Sequence, residues 1–233
     1  MPRAKKSDFR VNDTLSLIQE CLTLDYFHPN DNGEVPISAN FVPGKGKLVV
    51  AVGGNASGKS FFRRIIQGVC SKTKIECIHL SMEGRRNCAY NPALAFVYGS
   101  EEWQSTGENS SETVLGAIRT SKGRETRHVI FWDEPDIGLS DDWAASTGAE
   151  IRSFIESAPE PLVGSVLVTH SKALVRELLP LDPHLLSFGE EPMGSLTEWL
   201  EKPVSIRPLS QLREASRRRF KLIQSILDEV KRK

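Results

Sequence analysis

The sequence predicts an α/β fold with a mainly parallel sheet flanked by helices, and two observations carry that expectation. Short apolar runs rich in β-branched residues alternate along the 233 residues with segments of helical period. The run "VVAVGGNASGKSFFRRII" joins an apolar strand to a helix through a loop of small residues. A loop of that kind turns backbone N–H groups towards an anion at a helix N-terminus.

The elements follow in order. Residues 12–24, "NDTLSLIQECLTL", set Leu15, Ile18 and Leu22 at helical spacing behind Asn12 and Asp13 as cap residues. "HPNDNGEVP" is a loop by its turn residues. A strand at 47–52 leads into the glycine loop and a helix over 60–69, and "IECIHLSM" (75–82) reads as the next strand. Residues 84–110 are irregular and polar, and a helix is expected over 111–121. The apolar run "HVIFW", a helix over 142–157 and the strand "GSVLVTH" follow. The Pro-containing stretch 180–208 holds the short strand "HLLSF", and a long helix ends the sequence. The pattern divides into an N-terminal helix and loop appendage (1–40), a central α/β unit (41–208) and a basic C-terminal helix (209–233).

Composition narrows the classes. Thirty basic and thirty acidic residues balance, so no overall field draws the chain to nucleic acid or an anionic membrane. The ends are basic: Arg3, Lys5, Lys6 and Arg10 lie in the first ten residues. In the last helix Arg217, Arg218, Lys221, Lys231 and Arg232 lie off an apolar stripe of Ser216, Phe220, Ile223, Leu227 and Val230. That helix is expected to pack on the domain with a solvated basic back, or to bind a protein or nucleic-acid partner. Of the four cysteines, Cys70, Cys77 and Cys88 with His79 have zinc-ligand types but not zinc-ligand spacing, which favours small buried residues. Without a C-x-x-C pair, an apolar leader or a bilayer-length apolar run, the expected setting is cytoplasmic, with reduced thiols and no membrane partner.

Chemistry concentrates in two motifs. Gly53, Gly54, Asn55, Ala56, Ser57, Gly58, Lys59 and Ser60 satisfy G-x-x-x-x-G-K-[ST] between a strand and a helix. The spacing cradles nucleotide phosphates in backbone N–H groups, with Lys59 on the β- and γ-phosphates and Ser60 on Mg²⁺; Phe61 completes the nucleotide-binding set. In "HVIFWDEPDIGLS", four apolar residues deliver Asp133 to a strand end as the second Mg²⁺ residue. Glu134 follows as a carboxylate placed to deprotonate a water, and Pro135 ends the strand. Tyr26, Phe27 or Phe41 is expected to stack on the base, Tyr26 first. Arg85, Arg86, Arg124 and Arg127 either add to a basic surface or include one phosphate-stabilising arginine, and the sequence does not choose.

With these motifs in this order, the sequence over about 41–190 resembles the ABC-type P-loop ATPase family, including its soluble, SMC-like branch. "VLVTH" brings His170 to the place of that family's switch histidine, which implies contact with the γ-phosphate. "QSTGENSSETVLGAIRT" stands where the family opens its signature helix. The resemblance therefore implies that Ser105, Gly107 and Glu108 touch the nucleotide of an opposing subunit. Thr106 and Glu108 replace the family's Gly and Gln, Ser140 stands at the usual D-loop aspartate, and no Q-loop glutamine follows 75–82, where Glu83 is the nearest substitute. The span between Lys59 and Ser105 is short for a transporter's helical subdomain or a coiled coil, so a reduced subdomain is expected. The implied function is slow Mg-ATP hydrolysis at sites shared in an ATP-dependent homodimer, or with a related but distinct partner subunit, acting as a switch or clamp for a macromolecular partner. A nucleotide-gated assembly module with negligible turnover and a P-loop kinase are the alternatives.

Overall fold

The computed structural model describes residues 11–54, 57–81, 105–189, 191–203 and 205–232. Asn55, Ala56, Glu83, Arg85, Arg86, Cys88, most of 84–110 and the basic residues of the first ten lie outside them.

The strands are β1 (Ala39–Val42), β2 (Leu48–Gly53), β3 (Glu76–Ser81), β4 (His128–Asp133), β5 (Leu162–Val168) and β6 (His184–Phe188). The helices are α1 (Thr14–Leu22), α2 (Lys59–Lys72), α3 (Thr106–Lys122), α4 (Asp141–Glu156), α5 (Lys172–Leu178), α6 (Leu196–Glu201) and α7 (Leu209–Arg232). They build one six-stranded sheet in the order β1-β6-β2-β5-β4-β3. All neighbours run parallel except β1, which pairs antiparallel with β6 at one edge. The expected α/β sheet flanked by helices is present.

Alternation in the central strands feeds two cores. Leu48, Val50 and Val52 of β2, with Ile130 and Trp132 of β4, face α3, α4, α5 and α6. Val49 and Ala51, with Val129 and Phe131, face α1 and α2. Strands buried on both faces read as continuous apolar runs, which is why "LVVAV" and "HVIFW" carry no polar alternation. The buried Trp132 Nε1 donates to Ser165 Oγ at 2.7 Å, so its indole costs no unpaired polar group. Helix α1, which the sequence sets in the N-terminal appendage, packs on the sheet. Leu17, Ile18 and Cys21 are fully buried, and Thr14 Oγ1 donates to Val163 O at 3.2 Å.

The order of strands positions the site. Strand β5 lies between β2 and β4, and the register aligns Ala51, Val168, Asp133 and Ser81 in one row across β2, β5, β4 and β3. The carboxyl ends of four parallel strands therefore open onto one edge, where α/β sheets place their ligands. Among the described residues no helix is long and apolar enough to cross a membrane.

Candidate functional site

Strand β2 runs straight into the glycine loop. Gly53 has φ +154°, and a Cβ there would stand 2.5 Å from Phe188 O. Gly58 has φ +108°, and a Cβ would meet Ile37 Cγ2 at 2.9 Å. Both positions thus require glycine on steric grounds. Gly58 is also the N-cap of α2, where no side chain accepts from the first N–H groups. By contrast Asp13, Ser105, Ser171 and Ser195 each cap their own helix with a side-chain oxygen. The first turn of α2 therefore keeps donors for an external acceptor.

Lys59 is turned into the loop. Its Nζ donates to Gly53 O at 3.0 Å and Gly54 O at 2.9 Å, and the residue is only 4% exposed. Burial pushes the ammonium down to about 8, with Glu134 and Asp133 partly opposing the shift. Beside it the buried Ser57 Oγ has no hydrogen-bond partner among the described residues. Ser60 is exposed. Phe61 packs its ring edge-on against Tyr26, with centroids 4.9 Å apart. Tyr26 is thereby engaged with α2, and Phe41 stacks on the His184 ring at 5.7 Å.

At the end of β4, Asp133 Oδ2 lies 3.7 Å from His79 Nε2 of β3. Glu134 then takes φ +52°, left-handed for a residue with a Cβ and directly before Pro135. Such a conformation costs ~1–3 kcal/mol and persists only where its surroundings enforce it. Here Glu134 N donates to Val168 O at 2.9 Å, and Glu134 Oε1 lies 3.3 Å from His170 Nε2. The hydrogen bond with His170 holds the Glu134 carboxyl below its usual range, with Lys59 adding to the effect against burial. The strand row therefore brings Lys59, Asp133, Glu134 and His170 to one edge.

The expected signature loop has a different local occupation. Ser105 caps α3 in a reciprocal box: Ser105 N donates to Glu108 Oε2 at 2.7 Å, and Glu108 N to Ser105 Oγ at 3.3 Å. The hydroxyl and carboxylate expected to meet nucleotide thus serve their own helix. Gly107 backs onto the Trp143 ring of α4, where a Cβ would come within 2.9 Å.

Of the two alternatives for the arginines, Arg124 and Arg127 do not meet the phosphate-stabilising one. Arg124 pairs with Glu76, and Arg127 Nη2 donates to Val11 O, both at the amino end of β3 and away from the glycine loop. Cys70 and Cys77 are free cysteines. Among the described residues, no group of three or more His, Cys, Asp or Glu is arranged to hold a metal ion.

Sequence reading missed the support behind the acidic pair. Asp136 Oδ1 accepts from Thr169 Oγ1 at 2.7 Å, and Thr169 Oγ1 accepts from Ser171 N at 2.9 Å. This chain ties the turn after β4 to the turn holding His170, and burial raises the Asp136 carboxyl above its usual range. A third acid, three residues after Asp133, and a threonine beside the histidine are the available signals. Sequence also missed Arg63, whose Nη1 lies 3.3 Å from both nitrogens of His79.

No protein-family model matches the chain, and no curated protein matches it in sequence.

Proposed function

We propose that the chain is an ABC-type ATPase that binds and slowly hydrolyses Mg-ATP and serves as an ATP-gated switch or clamp for a macromolecular partner. The observation that carries the reading is the convergence of Lys59, Asp133, Glu134 and His170 at one sheet edge, with β5 inserted between β2 and β4. The donors fit the ligand: the helix start lacks a side-chain cap, the Ser57 hydroxyl is buried without a partner among the described residues, and two glycines admit no Cβ.

In this reading the N–H groups of 53–60 and the Lys59 ammonium bind the phosphates, the ammonium leaving its two loop carbonyls to do so. Ser60 Oγ and the Asp133 carboxylate are hard oxygen donors, and Mg²⁺ is commonly held by one or two such protein groups together with phosphate and water. Bound Mg²⁺ supplies charge neutralisation at the phosphates. Glu134 accepts a proton from the attacking water, and His170, 3.3 Å away, orients that carboxylate. A carboxyl held low is a weak base, so slow turnover is expected. The same contact favours a second reading, an assembly module with negligible turnover.

Because the Lys59 ammonium is depressed to about 8, nucleotide binding depends on pH. Phosphate favours the charged form, so affinity is flat below about pH 8. It then weakens as pH rises, by up to ~10-fold per unit, until the lysine of the bound state also titrates. Calorimetric titration at pH 8 in two buffers of different ionisation enthalpy should show proton uptake on binding. Proton release, or affinity that rises towards pH 9, contradicts the assignment.

Assembly is tested with the Glu134→Gln protein. Sedimentation with Mg-ATP should show dimers and without it monomers, since a shared site holds nucleotide from both sides. Thr106→Asp, an exposed change at the start of α3, should prevent the dimer by facing phosphate with a carboxylate, and it spares the Gly107–Trp143 contact. Inorganic phosphate is the expected product of the wild-type protein; phosphate on another acceptor would indicate a kinase. Monomers throughout, with turnover independent of protein concentration, exclude the shared site.

A further inference from the structure

Helix α7 does more than lean on the domain. Ser216, Arg219, Phe220 and Ile223, at i, i+3, i+4 and i+7, form one face. That face closes a cavity of about 330 Å³ whose other walls are Gly58, Lys59, Ser60, Phe61 and Glu134. Its volume falls at the lower end of small-molecule sites. Ser216, Arg219 and Ile223 are half-buried, whereas the neighbouring Arg217, Arg218 and Lys221 are exposed. Two further contacts seat the helix: Ile223 packs on the core around α2, and Arg218 Nη2 pairs with Glu34 Oε1 at 3.1 Å. Arg219 thus lines this cavity and also the neighbouring groove beside Glu34, which it shares with Arg217, Arg218 and Lys221.

We propose that Arg219 is a phosphate-binding side chain, supplied by the chain's own last helix to the cavity of the glycine loop, and that it selects a nucleoside triphosphate over a diphosphate. The proposal rests on the nucleotide reading above and extends it to α7. Among the described residues, the charged groups lining this cavity are Lys59, Glu134 and Arg219. Even with Mg²⁺ bound, a triphosphate keeps a net negative charge, which Lys59 offset by Glu134 does not balance. A guanidinium stays charged throughout the working pH range and presents paired donors that match phosphate oxygens. Because it comes from a different element than the loop, Arg219 is assigned the outermost phosphate, while the loop N–H groups hold the inner ones. The diphosphate loses the group that Arg219 contacts.

The experiment compares Arg219→Ala, Arg219→Lys, Lys59→Ala and the exposed control Arg217→Ala in the full chain. Affinities for Mg-ATP and Mg-ADP are measured by fluorescent-nucleotide titration, with inorganic tripolyphosphate as competitor and thermal unfolding as a check on folding. Losing a charge-assisted contact to phosphate should weaken Mg-ATP by about 10- to 100-fold in Arg219→Ala. Mg-ADP should change by less than about threefold, tripolyphosphate competition should fall in parallel with ATP, and Arg219→Lys should recover part of the loss. Arg217→Ala should match the wild type. Unchanged ATP-over-ADP preference in Arg219→Ala, with binding lost in Lys59→Ala, overturns the role of α7 and leaves the loop reading standing. Equal weakening of ATP and ADP together with a lowered unfolding temperature assigns Arg219 to helix docking alone and also overturns it. Nucleotide binding that survives in Lys59→Ala overturns both.

Discussion

The Lys59→Ala protein is expected to lose Mg-ATP binding, with affinity falling by more than about 100-fold, while remaining folded. Lys59 is the cation inside the glycine loop, held within 3.0 Å of Gly53 O and 2.9 Å of Gly54 O. Alanine removes charge-assisted contacts to two phosphates, each strong where water is excluded. Folding is not the casualty, because two opposing effects meet at this residue. The substitution leaves two carbonyls without the ammonium, but it also removes a charge whose burial is unfavourable enough to push its pKa to about 8. The melting temperature should therefore change little. Nucleotide titration with thermal unfolding on the same sample checks both statements. Wild-type affinity in this variant would remove the basis for reading 53–60 as a phosphate site.

Glu134→Gln is expected to bind Mg-ATP like the wild type and turn it over ~10²–10⁴-fold more slowly, the usual contribution of a positioned general base. Glutamine preserves shape, and its carbonyl can still accept from His170 Nε2, 3.3 Å away, so the φ +52° turn is kept. What goes is the carboxylate that receives a proton. Single-turnover hydrolysis beside equilibrium binding separates the chemical step from affinity. Equal turnover in the two proteins would assign the water to another group and undo the role given to Glu134.

The legible parts of this molecule are those whose signal is local. "LVVAV" followed by glycines, and four apolar residues before Asp133, announce β2 and β4 nearly to the residue. Strand β1 goes unread: its four half-buried residues sit at the antiparallel edge and show neither alternation nor a continuous apolar run. Helix α5 is seven residues long, too short for its period to stand out after the histidine. Helix α3 begins at Thr106, five residues before its expected start, because Ser105 and Glu108 form a capping box where a ligand loop was expected. Strand order is not local at all: no periodicity says that β5 lies between β2 and β4, which is what sets His170 against Glu134. The last helix shows the same limit. Its apolar stripe marks Phe220 for burial, yet Phe220 is 67% exposed, and among the helix's side chains whose burial is described the half-buried cation is Arg219. Periodicity defines a face, but what that face meets depends on the tertiary fold.

The contact between Gly107 and Trp143 has a consequence for how this sequence can diverge. A Cβ at 107 would stand 2.9 Å from the indole, so the ring would have to shift; the nearby turn is constrained differently, by the φ of +77° at Gly138, where a Cβ would lie 3.3 Å from Thr106 Cγ2. Positions 107 and 143 are thus locked as a small–large pair. A larger residue becomes tolerable at 107 only after 143 has shrunk, so the neutral path between variants runs through 143 first. Across descendants of this chain the two positions should change together, and glycine at 107 should accompany tryptophan at 143 whether or not the loop ever meets a nucleotide. Invariance of Gly107 alone would therefore record packing as readily as function, and only co-variation with a site residue such as Lys59 would point to the ligand.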